Sequence, residues 1–390
     1  MIITQTPLRV SFFGGGTDYP EYFLKNGGAV LGSAINKSVF FSVSKFYSEL
    51  FDYNIRIAYR KVETVNALDK IKHAPFRECL RWCGLERDVE INHMAELPAF
   101  TGLGSSSTFV VGLLNSNYAY KGRLVAPMEV AYQAIRLERE VLKDAVGCQD
   151  QVFAAMGGLN MIEFRKMDNI IVNRLPVSRQ RVFELESNLM MFFTGIKRKA
   201  EEIATHQIKS MDRNTPRLKK MRAMVDEGVN ILVNNGALDH FGELLDRAWM
   251  EKRELDSRIT NSKLDTLYEA GKQAGAIGGK LLGAGGGGFM LFYVPPEKQD
   301  AVRQPRGILA QQFRNPLRRL IHPPRRMFSG LFPAGGSAID VGWVAPPMIW
   351  AMERRPMRLK GSQARAVVAE TSVARPSRPS PASAASGSAR

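Results

Sequence analysis

The sequence predicts an α+β protein of two domains. A chain of 390 residues exceeds the roughly 250–300 residues that one hydrophobic core usually serves. Predicted strands and short helices fill the first part, and long helices around a few strands fill the second, an order that differs from a regular βαβ array. With 45% hydrophobic and 24% charged residues, the composition is that of a globular protein and excludes wholesale disorder. We expect domains at residues 1–164 and 165–302, followed by an atypical tail at 303–390.

Residues 3–13 open the first half as a predicted strand, because they are rich in β-branched and aromatic side chains. Residues 38–46 and 89–93 are predicted strands for the same reason. An apolar helix is predicted from Thr108 to about Tyr120. An amphipathic helix over 126–143 and a short helix over 150–156 follow.

Long helices characterise the second half, and the one strand predicted there follows a run of glycines. The helices are predicted over 197–209, 216–234, 238–255 and 261–274, and the strand over 289–294.

The net charge of +16 is concentrated at the end of the chain. Residues from Ala301 onward carry +12, so the first 300 carry only +4. The same region holds eleven of the twenty prolines and ends in a low-complexity Arg/Pro/Ala/Ser segment, so we interpret it as disordered, translated from another reading frame, or a replaced C-terminus. A nearly balanced body gives no reason to expect a nucleic-acid partner.

Cysteine usage indicates a reducing compartment. Three cysteines, Cys79, Cys83 and Cys148, are too few for a disulfide framework and lack a second pair for zinc. The N-terminal residues show no basic segment followed by an apolar core and a cleavage site. We therefore expect a cytoplasmic protein without a membrane partner.

The segment Gly102-Leu103-Gly104-Ser105-Ser106-Ser107, placed before an apolar helix, predicts a phosphate site. Small residues let successive N–H groups converge on an anion at a helix N-terminus. A loop with a capping serine is the alternative. The segment is neither a Walker A loop nor a dinucleotide fingerprint, since Ser107 stands where that fingerprint requires glycine.

Two further glycine segments are candidate ligand loops. Gly14–Asp18 puts a carboxylate after a tight turn, where it would bind hydroxyl groups or simply cap the turn. Gly279–Gly288 contains six glycines in ten residues, which indicates either that its backbone closely approaches another group or that it is a hinge. Glu138 and Asp150 are candidates for the two carboxylates that phosphoryl transfer uses, one for a divalent cation and one near the acceptor hydroxyl; two surface charges are the alternative.

Together these segments resemble the GHMP kinase superfamily in order and spacing over residues 1–300. Residues 7–19 are similar to its first motif in the sugar-kinase form, residues 102–107 to its phosphate loop, and residues 283–288 to its third motif. Within the superfamily, residues 13–20, 147–151 and 278–289 most resemble the bacterial D-glycero-D-manno-heptose 7-phosphate kinases. The resemblance implies a fold that binds ATP and substrate between its domains, and ATP-dependent phosphorylation of a sugar phosphate at its anomeric hydroxyl, toward nucleotide-activated heptose for surface glycans.

The resemblance also implies roles for individual residues. Asp150 would polarise or deprotonate the acceptor hydroxyl, and Arg9 would stabilise charge at the transferring phosphoryl group. Glu138, with Glu140 as the fallback, and Ser106 would hold Mg²⁺. The ATP phosphates would lie on Gly102, Leu103, Gly104, Ser105, Ser106 and Ser107, and the sugar substrate on Gly15, Gly16, Thr17, Asp18, Gly285, Gly286 and Gly287.

Other interpretations stay open at this point. One alternative is a free-sugar 1-kinase, such as a fucokinase or a galactokinase-like enzyme. The other is a catalytically silent sugar or nucleotide sensor. A sugar phosphate needs a cationic clamp, for which Lys197, Arg198, Lys252 and Arg253 are candidates. The oligomeric state is not predicted.

Overall fold

The structure, a computed structural model, describes residues 1–196, 200–234, 236–303 and 348–351. Two sheets organise it. Eight strands form the larger one, in the order β11-β1-β2-β5-β3-β4, with β6 pairing with β2 and β7 with β6. Its strands are β1 (Ile2–Phe13), β2 (Gly28–Lys45), β3 (Ile55–Ala58), β4 (Val62–Val65), β5 (Val89–Ala95), β6 (Leu159–Lys166), β7 (Asn169–Arg174) and β11 (Met348–Ala351).

The long strand β2 is the central strand of this sheet. It pairs with β1 along its length, with β6 over residues 28–33 and with β5 over residues 39–45. All pairings are antiparallel except that of β3 with β5. At the far edge, Ile2 of β1 is opposite Ala351 of β11.

Helices cover this sheet and carry the site. They are α1 (Pro20–Asn26), α2 (Ala74–Cys83), α3 (Ser105–Tyr120), α4 (Pro127–Arg136) and α5 (Gln149–Met156). The helix α3 packs on β1 and β2 through apolar side chains on most of its surface, including buried Val110, Val111 and Leu114. This burial explains why its sequence is apolar without a polar stripe. A π-helical turn, Leu137–Val141, continues α4.

The second, three-stranded sheet has the antiparallel order β8-β10-β9. Its strands are β8 (Leu189–Phe193), β9 (Gly278–Leu281) and β10 (Phe289–Tyr293), and the helices of this part are α6 (Arg179–Asn188), α7 (Ala200–Lys209), α8 (Met211–Val233), α9 (Asp239–Arg253), α10 (Ser262–Gln273) and α11 (Gln299–Arg303). Phe241 of α9 packs edge-on against Phe12 and Phe13 of β1, with ring centroids 5.3 and 5.0 Å apart. No described helix is both long and apolar enough to cross a membrane.

Several predicted elements differ from the structure. The strand predicted at 38–46 is the second half of β2, whose first half has buried small residues without alternation. The predicted helix start at Pro216 is wrong, because α8 begins at Met211 and holds Pro216 inside. Proline near a helix start removes few backbone hydrogen bonds, so it marks the start only loosely.

The predicted boundary at 164/165 falls inside β6, and β7 extends the larger sheet to Arg174. The division into domains by residue number stays a prediction. Of the tail predicted at 303–390, residues 304–347 and 352–390 lie outside the described residues, so the interpretations of that segment stay predictions as well.

Candidate active site

A bidentate ion pair lies at the centre of the candidate site. Arg9 of β1 donates from Nε to Oδ1 of Asp150 at 2.8 Å and from Nη2 to Oδ2 at 2.7 Å. Its third donor, Nη1, bonds the carbonyl oxygen of Gly102 at 2.7 Å. The side chain of Arg9 is 6% exposed and that of Asp150 is 23% exposed. The two predicted catalytic residues are therefore in direct contact, and the carboxylate is the one that solvent reaches.

The predicted phosphate loop is fixed against both sheets. The backbone N–H of Arg9 bonds the carbonyl of Leu103, which is fully buried. Gly104 takes a left-handed conformation and caps α3, which begins at Ser105. The first N–H groups of a helix have no acceptor inside it, so those of the three serines are available to an anion.

The third glycine motif packs directly on this loop. A Cβ atom on Gly102 would lie 2.4 Å from the carbonyl oxygen of Leu282, and one on Gly283 would lie 2.5 Å from the Cα of Gly102. Only glycine permits this approach, which explains its use at both positions. Gly283 is therefore in direct contact with the phosphate loop, and Gly288 also approaches it, since a Cβ atom there would lie 3.3 Å from the N atom of Gly102.

The predicted substrate residues Gly285, Gly286 and Gly287 are buried on the other side of the motif. The N–H of Gly286 bonds the carbonyl of Ile259 at 2.8 Å, and Gly287 packs against Ile196. Their contact with a substrate stays a prediction.

Glu138 lies fully buried beside the start of α3, in the π-helical turn. Its Oε1 accepts a hydrogen bond from Ser107 Oγ at 3.0 Å, and its Oε2 accepts one from Gln151 Nε2 at 2.6 Å. Burial, with a smaller contribution from the charges of Asp144 and Asp150, raises the pKa of Glu138 to about 8. Glu140, the fallback, is exposed.

The hydroxyl group that contacts Glu138 belongs to Ser107, whereas Ser106 is exposed. Ser106 and Glu138, which are both predicted to hold Mg²⁺, therefore do not contact each other directly in this structure. Ser106 is one residue away and on the solvent side, and its role as a metal ligand stays a prediction. The contact from Ser107 was not predicted, because three consecutive serines give no signal for which of them turns inward.

The turn Gly14–Asp18 places the carboxylate of Asp18 near that of Asp150. Asp18 is 2% exposed, and its side chain accepts hydrogen bonds from the N–H groups of Gly16 at 3.0 Å and Gln149 at 3.3 Å. Burial and the neighbouring Asp150 raise its pKa. Gln149 immediately precedes Asp150, so this bond ties the predicted sugar-binding turn to the predicted catalytic acid.

Other members of the turn divide into two groups. Gly15 and Gly16 are half-buried and border the space next to Asp18. Thr17 is fully buried, and its hydroxyl donates to the carbonyls of Gly14 and Ala29, both at 2.8 Å. Thr17 thus braces the turn against β2, and its predicted contact with substrate stays a prediction.

Two buried lysines complete the surroundings of Arg9. Lys252 of α9 donates to the carbonyls of Leu281, at 3.1 Å, and Gly283. Lys280 of β9 donates to the carbonyls of Ser11, at 3.1 Å, and Phe12, at 2.6 Å. From the sequence, Lys252 is only one of four clamp candidates, and Lys280 has no predicted role.

The remaining clamp candidates are not at the site or are not described. Arg253 pairs with Asp265 at 3.0 Å and lies over the Trp249 ring. Lys197 and Arg198 lie outside the described residues.

The assembled site has the parts that phosphoryl transfer requires. A helix N-terminus with small residues offers N–H groups to an anion, and the guanidinium group of Arg9 bonds the loop that leads into this helix. A partly exposed carboxylate pairs with the guanidinium group, and a buried carboxylate lies beside the predicted phosphate loop.

Comparisons with known proteins agree with this geometry. Residues 64–158 match the GHMP kinases N terminal domain, and residues 230–307 match the GHMP kinases C terminal family. A D-glycero-alpha-D-manno-heptose 7-phosphate kinase of Campylobacter jejuni is 30% identical over 308 residues, which cover 76% of this chain and 91% of the relative. An L-fucokinase/L-fucose-1-P guanylyltransferase of Bacteroides fragilis is 26% identical over 81% of this chain and 37% of its own length.

Solved structures show the same fold. A D-glycero-D-manno-heptose 1-phosphate kinase from Bacteroides thetaiotaomicron superposes with a TM-score of 0.63 and 25% identity, covering 77% of this chain and 91% of its own. A mevalonate kinase at 20% identity has a TM-score of 0.59 over 77% of this chain and 94% of its own. The predicted α+β fold with N- and C-terminal GHMP domains is confirmed. The chain therefore belongs to the GHMP kinase family, and it is an ATP-dependent phosphotransferase homologous to sugar kinases.

Proposed function

We propose that this enzyme transfers the γ-phosphoryl group of ATP to the anomeric hydroxyl of a sugar phosphate, with D-glycero-D-manno-heptose 7-phosphate as its substrate. The product would be the 1,7-bisphosphate, a precursor of nucleotide-activated heptose for surface glycans. The observation that carries the proposal is the Arg9–Asp150 pair, held against the carbonyl of Gly102 in the phosphate loop. The heptose 7-phosphate kinase relative supports the choice of sugar.

Asp150 acts on the acceptor hydroxyl in this proposal. Each of its oxygens accepts one bond from Arg9, and each keeps a further acceptor direction for a hydroxyl group. An anomeric hydroxyl is more acidic than an ordinary alcohol, so a carboxylate that orients it and accepts its proton need not be a strong base. The O–H proton passes to Asp150 as the sugar oxygen bonds phosphorus and the bond to the ADP oxygen breaks.

Arg9 serves both partners of this transfer. Its Nε and Nη2 hold Asp150 in place, and its Nη1 bonds the loop that would bind the ATP phosphates. A guanidinium fixed before the reaction stabilises spread negative charge without reorganising. Asp18, buried near Asp150, would bind sugar hydroxyls.

The residues beside the phosphate loop fit Mg²⁺. The donors are oxygens, from the carboxylate of Glu138 and the serine hydroxyls at the start of α3, which hard cations prefer. A buried carboxyl whose pKa is about 8 lacks a compensating charge, and a divalent cation supplies one. When bound, the cation would neutralise charge on the phosphates; Glu138 and Ser106 would hold it, with Ser107 positioning Glu138.

A free-sugar 1-kinase is the second candidate, because fucokinase and galactokinase relatives also match most of this chain. The test is ATP consumption by the full chain with Mg²⁺, comparing the heptose 7-phosphate with the free heptose, fucose and galactose. We expect turnover only with the sugar phosphate. Equal or faster turnover of a free sugar would favour the second candidate, and binding of ATP without turnover of any sugar would favour a silent relative.

A further inference from the structure

Lys252 has surroundings that its packing does not explain. It lies in the last turn of α9 and is 7% exposed, and its ammonium group donates to the carbonyls of Leu281 and Gly283. Both acceptors are neutral, so a neutral donor would satisfy them equally well. Burying an ammonium group without an anionic partner costs free energy.

The charges around Lys252 are mainly positive. Arg9 on β1 and Lys280 on β9 are close enough to interact with it electrostatically, and Asp18, after β1, is the acidic group that opposes them. No carboxylate of the described residues lies within 4 Å of Lys252 or Lys280. Burial, followed by repulsion from Arg9, lowers the pKa of Lys252 to about 7.

The excess positive charge lies where strand β1, the phosphate loop and the third glycine motif meet. Lys252 holds the carbonyl of Gly283, and Gly283 packs on Gly102 of the phosphate loop. Arg9 bonds the carbonyl of that same Gly102. Asp150 is already shared by two donors of Arg9, so it does not compensate the two lysines. An anionic ligand is the group that this arrangement lacks.

We propose that Lys252 is a further phosphoryl-binding residue of the site, whose ammonium group pairs with a phosphoryl group of the bound ligands. This inference rests on the proposed function and extends it to the side of the site that the third glycine motif forms. The phosphoryl group belongs either to ATP or to the sugar phosphate, two sources with the same chemistry. Lys252 differs in this from its neighbour Arg253, whose charge is already paired with Asp265.

The test compares three substitutions of Lys252 with a matched control. Lys252→Met removes donor and charge, Lys252→Gln keeps a donor for the carbonyls but no charge, and Lys252→Arg keeps the charge. The control is Lys272→Met, because Lys272 also bonds a backbone carbonyl, that of Ile277, but pairs with Asp246 at 3.4 Å. We expect both uncharged variants to lower kcat/KM about 10²-fold, the typical effect of removing one preorganised donor. Lys252→Arg and the control should stay within about 10-fold of wild type.

Calorimetric titration of each variant with a non-hydrolysable ATP analogue, and separately with the sugar phosphate, identifies the source of the phosphoryl group. The ligand whose affinity falls is the one that Lys252 contacts. If Lys252→Gln matches wild type in kcat/KM and in both affinities, Lys252 only caps carbonyls and the proposal is overturned. Wild-type turnover in the same assay separates this failure from a failure of the proposed function.

The pH dependence gives a second readout, which a purely structural lysine would not change. A lysine whose pKa is about 7 loses its charge as pH rises, whereas arginine keeps its charge. The ratio of kcat/KM for Lys252→Arg to that of wild type should therefore rise between pH 6.5 and 9. Titration of Glu138 or Asp18 affects both proteins and cancels in the ratio. A ratio independent of pH would contradict the proposal even if Lys252→Met fails to fold.

Discussion

Replacing Asp150 by asparagine keeps the shape of the side chain that Arg9 holds and removes its charge. The wild-type pair has two charge-assisted bonds, at 2.7 and 2.8 Å, and an arginine side chain only 6% exposed. Asparagine offers one acceptor and turns an amide NH₂ group toward the guanidinium. Arg9 then keeps its bond to Gly102 but loses the anion that compensates its burial.

The expected loss in kcat is at least about 10²-fold, or about 3 kcal/mol in the barrier, the low end of general-base contributions. Affinity for ATP should stay near wild type, because Asp150 is proposed to act on the acceptor hydroxyl and Arg9 keeps its bond to the phosphate loop. The free energy of unfolding should fall by about 1–3 kcal/mol, less than for a fully buried pair, since the carboxylate is 23% exposed. Steady-state kinetics, calorimetric titration with an ATP analogue and thermal unfolding measure the three quantities.

A suitable control is Asp226→Asn, which breaks the ion pair between Asp226 and Arg222 at 2.8 Å on the exposed face of α8. It should cost less than about 1 kcal/mol and leave kcat unchanged. If Asp150→Asn turns over at the wild-type rate while remaining folded, the assignment of Asp150 to the acceptor hydroxyl is wrong. If it loses ATP affinity as much as kcat, Asp150 acts on the nucleotide instead.

Two further predictions concern the acids flanking this pair. Gly147→Ala should raise KM for the sugar about 10-fold or more and leave KM for ATP unchanged, because its Cβ atom would lie 2.0 Å from Asp18 Oδ2. The control is Gly236→Ala, whose Cβ atom would have no other atom within 4 Å. Equal kinetics of the two variants would refute the role of Asp18. In wild type, the apparent Mg²⁺ affinity with ATP bound should rise up to about tenfold per pH unit toward pH 8 and then level off, since Glu138 must lose its proton to bind the cation. Glu138→Gln should bind Mg²⁺ more weakly and without this slope, and a slope retained in that variant would assign the titration to another group.

The local features that could be predicted well from the sequence are those for which a residue type has a single conformational role. The glycines at 102 and 104 and the strand leading to Arg9 could be predicted, because close approach and β-branched patterning leave signals within a few residues. The contact of Arg9 with Asp150 spans 141 positions and was not predicted; the family resemblance implied only that both residues act near the acceptor oxygen.

The features that sequence missed depend on burial produced by the complete fold. Ser107 and Ser106 are chemically identical, and only the packing of α3 turns the first toward Glu138. The fully buried charge of Lys280 is indistinguishable in the sequence from that of a surface lysine. The first half of β2 escaped prediction because small residues buried on both faces lack alternation.

Phosphorus NMR of the product formed from ATP, Mg²⁺ and D-glycero-D-manno-heptose 7-phosphate by the full chain tests the central claim most directly. We expect equal amounts of ADP and of a sugar with two phosphates, with the new phosphate coupled to the anomeric proton at carbon 1. A new phosphate on any other carbon, or ADP formed without a phosphorylated sugar, would contradict the account.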